Sequence, residues 1–225
     1  MLVLDAQQTR ECLPMDLAVD SQVAAFSSDR QVPLRQELAG SLYMPGRVGE
    51  RSGIKIVSTV PGNPVGLVLV MDESGSPMGM VDGPTLTAIR TGAGAGLATR
   101  LLAREDASVL VMLGAGAMAF DQIEAVRTVR PIQRVLVWSR TRNRAEDLAE
   151  RVGGEAVDAA DEAVGVADVV SCATPSTAAL FSPDAIQAGT HINAIGAFRP
   201  GMIEVPVEVT LHSFVVVDDR DAAAA

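Results

Sequence analysis

The sequence predicts an α/β protein, with a doubly wound parallel sheet in its second half and a smaller mixed α+β domain in its first. Three observations carry this. From Ser108 onward, short apolar runs alternate with helical patterns, which implies βαβ crossovers. The runs VLVML, VLVW and VVSCA are continuously apolar, as strands covered on both faces must be. Before Ser108, proline and glycine break the chain into short strands and turns.

Taken in order, residues 2–30 read as a strand start followed by a helix, opened at Pro14-Met15-Asp16. Around Arg35–Arg51, Pro33, Gly40, Pro45, Gly46 and Gly49 favour strands and turns over helix. Gly53–Val57 is a β-branched strand and Gly66–Met71 another; Glu73-Ser74-Gly75 turns the chain into Pro77–Val81. Thr85–Arg104 is a helix of small residues, whose glycines cost about 1 kcal/mol each against alanine and so require close packing in return. The second half then gives strand Ser108–Leu113, helix Phe120–Val129, strand Arg134–Ser139, helix Asn143–Val152 and helix Asp161–Val166. It continues with strand Asp168–Ala173, a short helix at Pro183–Gln187, strand His191–Ile195 and a last strand at Phe214–Val217.

Composition excludes several function classes. Hydrophobic residues make up 48% and charged residues 20%, the balance of a globular protein with a core. No apolar run approaches the ~20 residues that span a bilayer, and Met1–Asp5 shows no signal-peptide pattern, so a cytoplasmic location and no membrane partner are expected. A net charge of -10 and 3% aromatics argue against nucleic acid. Cys12 and Cys172 lie far apart, Cys172 within an apolar strand where a buried free thiol is expected. His191 and His212 belong to no Cys/His cluster, so no metal site is predicted.

Directly after the Ser108–Leu113 strand comes Gly114-Ala115-Gly116-Ala117-Met118-Ala119, a GxGxxA pattern opening a helix. The first glycine allows a tight turn, the second admits a pyrophosphate, and the small third residue lets helix and strand pack closely. Gly114, Gly116, Ala117 and Met118 are therefore predicted to hold a dinucleotide at a helix N-terminus, in a Rossmann-type domain. The end of the next strand selects the cofactor. An acidic residue there would bind a ribose 2′-hydroxyl, but the sequence is Trp138-Ser139-Arg140-Thr141-Arg142. Ser139, Arg140 and Thr141 are predicted to bind a 2′-phosphate, favouring NADP over NAD by roughly tenfold to a hundredfold.

Of 18 basic residues, the only lysine is Lys55. Arginine does not give up its proton in proteins, whereas a desolvated lysine can. A chain that uses arginine everywhere else therefore marks Lys55 as a candidate for proton transfer.

From Ile54 onward the chain resembles the ornithine cyclodeaminase/mu-crystallin family. The matching pieces are IKIVSTVPGN, DESGSPMGMVDG, LTAIRTGAGAGLATRLLAR, LGAGAMA, VWSRTRNRAEDLAE, ADVVSCATPS, GTHINAIGAFRPGMIEV and VVVDDRDAA. The resemblance implies residues 1–104 as a substrate-binding and oligomerisation domain, residues 105–225 as the dinucleotide domain, and a homodimer. It implies Lys55 as the active-site lysine, Arg90 as the substrate-carboxylate arginine and Arg35 as a second carboxylate contact. Thr91 and Ile195 match positions that line the nicotinamide, and Ala173 and Thr174 border the adenosine side. The implied activity is NADPH-dependent reduction of a small cyclic imino acid or ketimine, of the pyrroline-2-carboxylate type, to the amino acid. Two alternatives accompany it: ornithine cyclodeamination, and a mu-crystallin-like protein that binds NADP without turnover. Cyclodeaminases resemble one another in an aspartate after the INAIG-type motif, and here Phe198-Arg199-Pro200 stands instead. Where this sequence stops, at Asp221–Ala225, the resemblance implies further helices that return to the first domain.

Overall fold

The computed structural model describes residues 1–60 and 65–220; Pro61-Gly62-Asn63 of the IKIVSTVPGN motif and Asp221–Ala225 lie outside the described residues. Contacts divide the chain into two compact units, Met1–Leu102 with Phe120–Pro131, and Ala103–Ala119 with Ile132–Ala225.

The first unit begins with β1 (Leu2–Leu4), α1 (Ala6–Cys12) and α2 (Met15–Ser27). Two helices thus stand where the sequence suggested one. Asp5 starts α1 with a capping box: its carboxylate accepts from the Gln8 N–H at 2.8 Å while Gln8 accepts from the Asp5 N–H at 3.1 Å. Pro14 then opens α2. The strands β2 (Arg30–Gln31), β3 (Gln36–Leu38), β4 (Ser41–Val48), β5 (Arg51–Ser58), β6 (Gly66–Met71) and β7 (Pro77–Asp82) follow. They form a sheet of order β1-β7-β6-β5-β4-β2 with β3 also on β4, antiparallel except where β1 joins β7. The Asp72 carboxylate closes the β6–β7 hairpin by accepting from the Ser74 and Ser76 N–H groups, each at 2.9 Å.

Helix α3 (Gly83–Leu102) is seated by the Asp82 carboxylate, which accepts from the Thr85 N–H at 2.8 Å. Gly92 and Gly96 on α3 meet close neighbours, as the sequence required, while a Cβ on Gly94 would meet nothing within 4 Å. A Cβ on Gly96 would lie 3.1 Å from Ala125 Cβ on α4 (Ala119–Val129), and one on Gly92 would collide with the Asp121 carbonyl. Arg10 grips the buried Asp121 carboxylate with two hydrogen bonds, 2.7 and 3.0 Å. Ala18, Val19, Ile89, Ala93 and Leu97 form a helix-on-helix core here.

The second unit carries β8 (Val109–Leu113), β9 (Arg134–Trp138), α5 (Arg142–Val152), β10 (Glu155–Ala156), α6 (Ala160–Val164), β11 (Val169–Cys172), β12 (His191–Ala194) and α7 (Val207–Leu211). Its sheet is parallel throughout, in the order β10-β9-β8-β11-β12, with Val111, Leu113, Leu136, Val170 and Cys172 in the core beneath. This is the predicted α/β architecture. The strand order reverses between β8 and β11, and ligands of such sheets bind outside the carboxyl ends of the strands at that point.

Further details differ from the sequence reading. Phe214–Val217 is not a strand: the segment is irregular and Phe214 is 89% exposed, because an apolar run becomes a strand only where a sheet edge pairs with it. Strand β10 and helix α7 were not foreseen, being two and five residues long, too short for a period to register.

Candidate functional site

Lys55 lies in the middle of β5, opposite Met44 on β4 and Val68 on β6. Its side chain is half-buried, and burial pushes its ammonium down to about 8, with the positive charges of Arg90 and then Arg35 adding to the shift. The fold therefore brings together, within the first unit, three cations that stand apart in sequence. Arg90 comes from α3, which packs on β5 and β6, and Arg35 from the link between β2 and β3. Arg35 and Arg90 are exposed and Lys55 is half-buried, so the lysine is the one of the three whose charge is penalised by burial. Thr91 follows Arg90 on α3, where its hydroxyl donates to the Thr87 carbonyl at 2.6 Å.

In the second unit the glycine loop runs from β8 into α4. Gly114 has φ +110°, and a Cβ there would come within 2.8 Å of the Ala173 carbonyl and of Thr174 Cγ2, so the turn admits only glycine. A Cβ on Gly116 would meet nothing within 4 Å, which leaves that side of the loop open to a ligand. Ala119 is fully buried, as the small third residue of the pattern must be. The loop thus fits a dinucleotide pyrophosphate. Ala117 and Met118 continue it toward the first turn of α4. The structure also brings Ala173 and Thr174, after β11, against Gly114, and seats Ile195, after β12, by a hydrogen bond from its N–H to the Cys172 carbonyl at 3.1 Å.

Ser139, Arg140 and Thr141 link β9 to α5. Ser139 Oγ accepts from the Thr141 N–H at 3.3 Å, and Arg140 and Thr141 are exposed. Thr141 caps α5 without a side-chain hydrogen bond, and the first turn of α5 holds no acidic residue while carrying Arg142 and Arg144. Cations at a helix N-terminus oppose the helix dipole, an arrangement that an incoming anion relieves. Arg142 already pairs with Glu146 at 2.8 Å and Asp158 at 2.7 Å.

Glu204 escaped the sequence reading. It is 3% exposed, and its carboxylate accepts hydrogen bonds from Thr174 and Gly196. Its one signal was a carboxylate in the apolar stretch MIEVPV, shortly after the INAIG motif. Cys172 is buried as foreseen, its thiol pushed up by burial and then by the negative charge of Glu204. Phe198 is 67% exposed and Arg199 lies over its ring, 5.2 Å from the centroid. No described helix is long and apolar enough to cross a membrane.

Comparison with known proteins accords with this geometry. The chain is 35% identical over 250 residues to a Delta(1)-pyrroline-2-carboxylate reductase of Bacillus cereus, covering 99% of this chain and 77% of that protein. The structure of Thermococcus litoralis Delta(1)-pyrroline-2-carboxylate reductase in complex with NADH and L-proline superposes with a TM-score of 0.83 at 29% identity, covering 93% of this chain and 73% of that one. An archaeal alanine dehydrogenase dimer with bound NAD reaches a TM-score of 0.89 at 31% identity, over 99% of this chain and 76% of that one. These relatives are oxidoreductases. A sequence profile for the ornithine cyclodeaminase/mu-crystallin family matches residues 21–225, and the chain belongs to that family.

Proposed function

We propose that this protein reduces a small cyclic imino acid or ketimine, of the pyrroline-2-carboxylate type, to the corresponding amino acid with NADPH. The observation that carries this reading is that Arg90 and then Arg35 bear electrostatically on the half-buried Lys55, an arrangement that suits a carboxylate held beside a proton donor. The relative from Thermococcus litoralis was solved with NADH and L-proline, a product of this class.

In this reading Arg90 and Arg35 hold the substrate carboxylate. When bound, a dihydronicotinamide would supply hydride for reduction of the substrate C=N bond. Lys55 keeps the imine nitrogen protonated, or returns a proton to it, which makes the carbon a better acceptor. An ammonium near 8 remains largely protonated at neutral pH yet gives up its proton more readily than an ordinary lysine. Thr91 and Ile195 line the nicotinamide, Ala173 and Thr174 border the adenosine side, and Gly114, Gly116, Ala117 and Met118 receive the pyrophosphate. Ser139, Arg140 and Thr141 hold a 2′-phosphate, a preference supported by the cationic N-terminus of α5; the neighbouring structures with NADH and NAD pull the other way. Phe198 offers no carboxylate to a substrate amine, which disfavours cyclodeamination. The half-exposed apolar sheet of the first unit supports a homodimer.

Calorimetric titration with NADPH and NADH, followed by assay of cyclic imine carboxylates, tests the proposal. NADH binding at least tenfold weaker than NADPH is the expected result. Failure to turn over any imine carboxylate while NADPH binds would sink the catalytic half.

A further inference from the structure

Two acidic side chains tie together parts of the second unit, at opposite ends of its parallel sheet. At the amino ends of the strands, Asp168 accepts from the Ser108 and Val109 N–H groups at 2.8 and 3.0 Å and pairs with Arg104. That end carries none of the site residues. Glu204 sits at the carboxyl ends, between two loops that do. Its Oε1 accepts from the Thr174 N–H at 2.6 Å and from the Thr174 hydroxyl at 2.9 Å, and its Oε2 accepts from the Gly196 N–H at 2.7 Å.

The surroundings leave this carboxylate little freedom. The Glu204 carbonyl accepts from the Leu180 N–H at 2.9 Å, and Ile203 bridges to the chain at Thr177. A Cβ on Gly196 would fall onto the Thr174 backbone and lie 2.6 Å from Glu204 Oε1, so the two loops touch where Glu204 joins them. Burying a carboxylate is costly, and hydrogen bonds from both loops offset that cost only while the loops stay in place. The Thr174 N–H and hydroxyl both donate to Glu204, and the hydroxyl oxygen also accepts from the Ser176 N–H at 3.3 Å.

We infer that Glu204 is a positioning residue: it fixes the loop after β11 against the loop after β12, and so sets the separation between the adenosine-bordering Ala173–Thr174 and the nicotinamide-lining Ile195. This rests on the dinucleotide reading of the same site. A ligand that engages both loops depends on the tie, whereas one that engages a single loop does not.

The test titrates the wild type, E204Q and E204D with NADPH and with adenosine 2′,5′-bisphosphate, which carries only the adenosine half. The glutamine keeps one acceptor but points an amide N–H₂ at the other loop's N–H. The aspartate keeps the charge but is too short by one methylene to reach both loops. Both variants are expected to weaken NADPH about tenfold, as the loss of one charge-assisted hydrogen bond implies, while the adenosine half changes less than about twofold. Melting curves are recorded alongside. Equal weakening of both ligands, unchanged NADPH binding in either variant, or unfolding of both variants at 25 °C would overturn the positioning role. A wild type that binds the adenosine half but neither NADPH nor NADH refutes the proposed function itself, and the inference with it.

Discussion

The two sheets of this protein are built from similar sequences and treated differently by the fold. GLVLVM of β6 and VLVML of β8 are almost interchangeable as patterns. Yet every β6 residue is only partly buried, whereas Leu110, Val111, Met112 and Leu113 of β8 are 0% exposed. The parallel sheet seals its central strands within the core of its own unit. The antiparallel sheet keeps apolar area in contact with water, and it is this sheet that carries Lys55. The sealed strands and the lysine proposed for proton transfer therefore fall in different units, which allows the two to be perturbed separately.

The largest effect should come from Lys55→Met. Turnover is expected to fall by about a thousandfold, the range of a lost general acid, while the NADPH dissociation constant moves less than about twofold. Loss of cofactor binding in this variant would break the separation of roles, and steady-state assay with parallel titration decides it.

A matched pair of truncations sharpens the contrast between the sheets. Leu113→Ala, in the buried sheet, should cost about 3 kcal/mol in urea unfolding. Leu69→Ala, on β6, should cost only about 1 kcal/mol in dilute protein, since less area leaves contact on truncation. If the two costs agree, β6 has a cover, and concentration-dependent unfolding would identify it as a second copy.

Arg140→Ala probes the second unit alone. NADPH affinity should drop about tenfold with NADH nearly unchanged, as removal of one guanidinium–phosphate contact predicts. An equal loss for both dinucleotides would remove Arg140 from 2′-phosphate recognition.

The smallest effect is the pH dependence set by Lys55. Its value in the folded protein lies below the ordinary 10.5, at about 8, so the unfolded chain binds the extra proton between those two values. This group's contribution to stability therefore rises with pH from about 8 to 10.5 and is a fixed penalty below that window. The proton-donating form is lost through the same pH, so kcat/KM should decline above about 8. In Lys55→Met that limb should disappear from any residual activity.

Much of the architecture was legible because it is written in local chemistry. The hairpin at Asp72–Ser76, the start of α2 at Pro14 and the alternation after Ser108 depend on residues close in sequence. Gly114 and Gly116 were legible for the same reason: a tight turn between strand and helix makes its demands within a few residues. The misreading of Phe214–Val217 marks where this ends. FVVV has the composition of a strand, but its hydrogen-bond partners would have to come from elsewhere, and none of the described strands pairs with it.

By itself the sequence determined the parallel α/β half, the glycine loop between strand and helix, the family resemblance and the singularity of Lys55, since each is a matter of pattern or residue type. Only the tertiary structure decided that Arg35 and Arg90 bear on Lys55, that β6 stays half-exposed while β8 is sealed, and that Glu204 ties Thr174 to Gly196. The physical reason is common to all three. Charge–charge shifts, burial and buried hydrogen bonds depend on distances in space between residues tens of positions apart, and no local propensity encodes those distances.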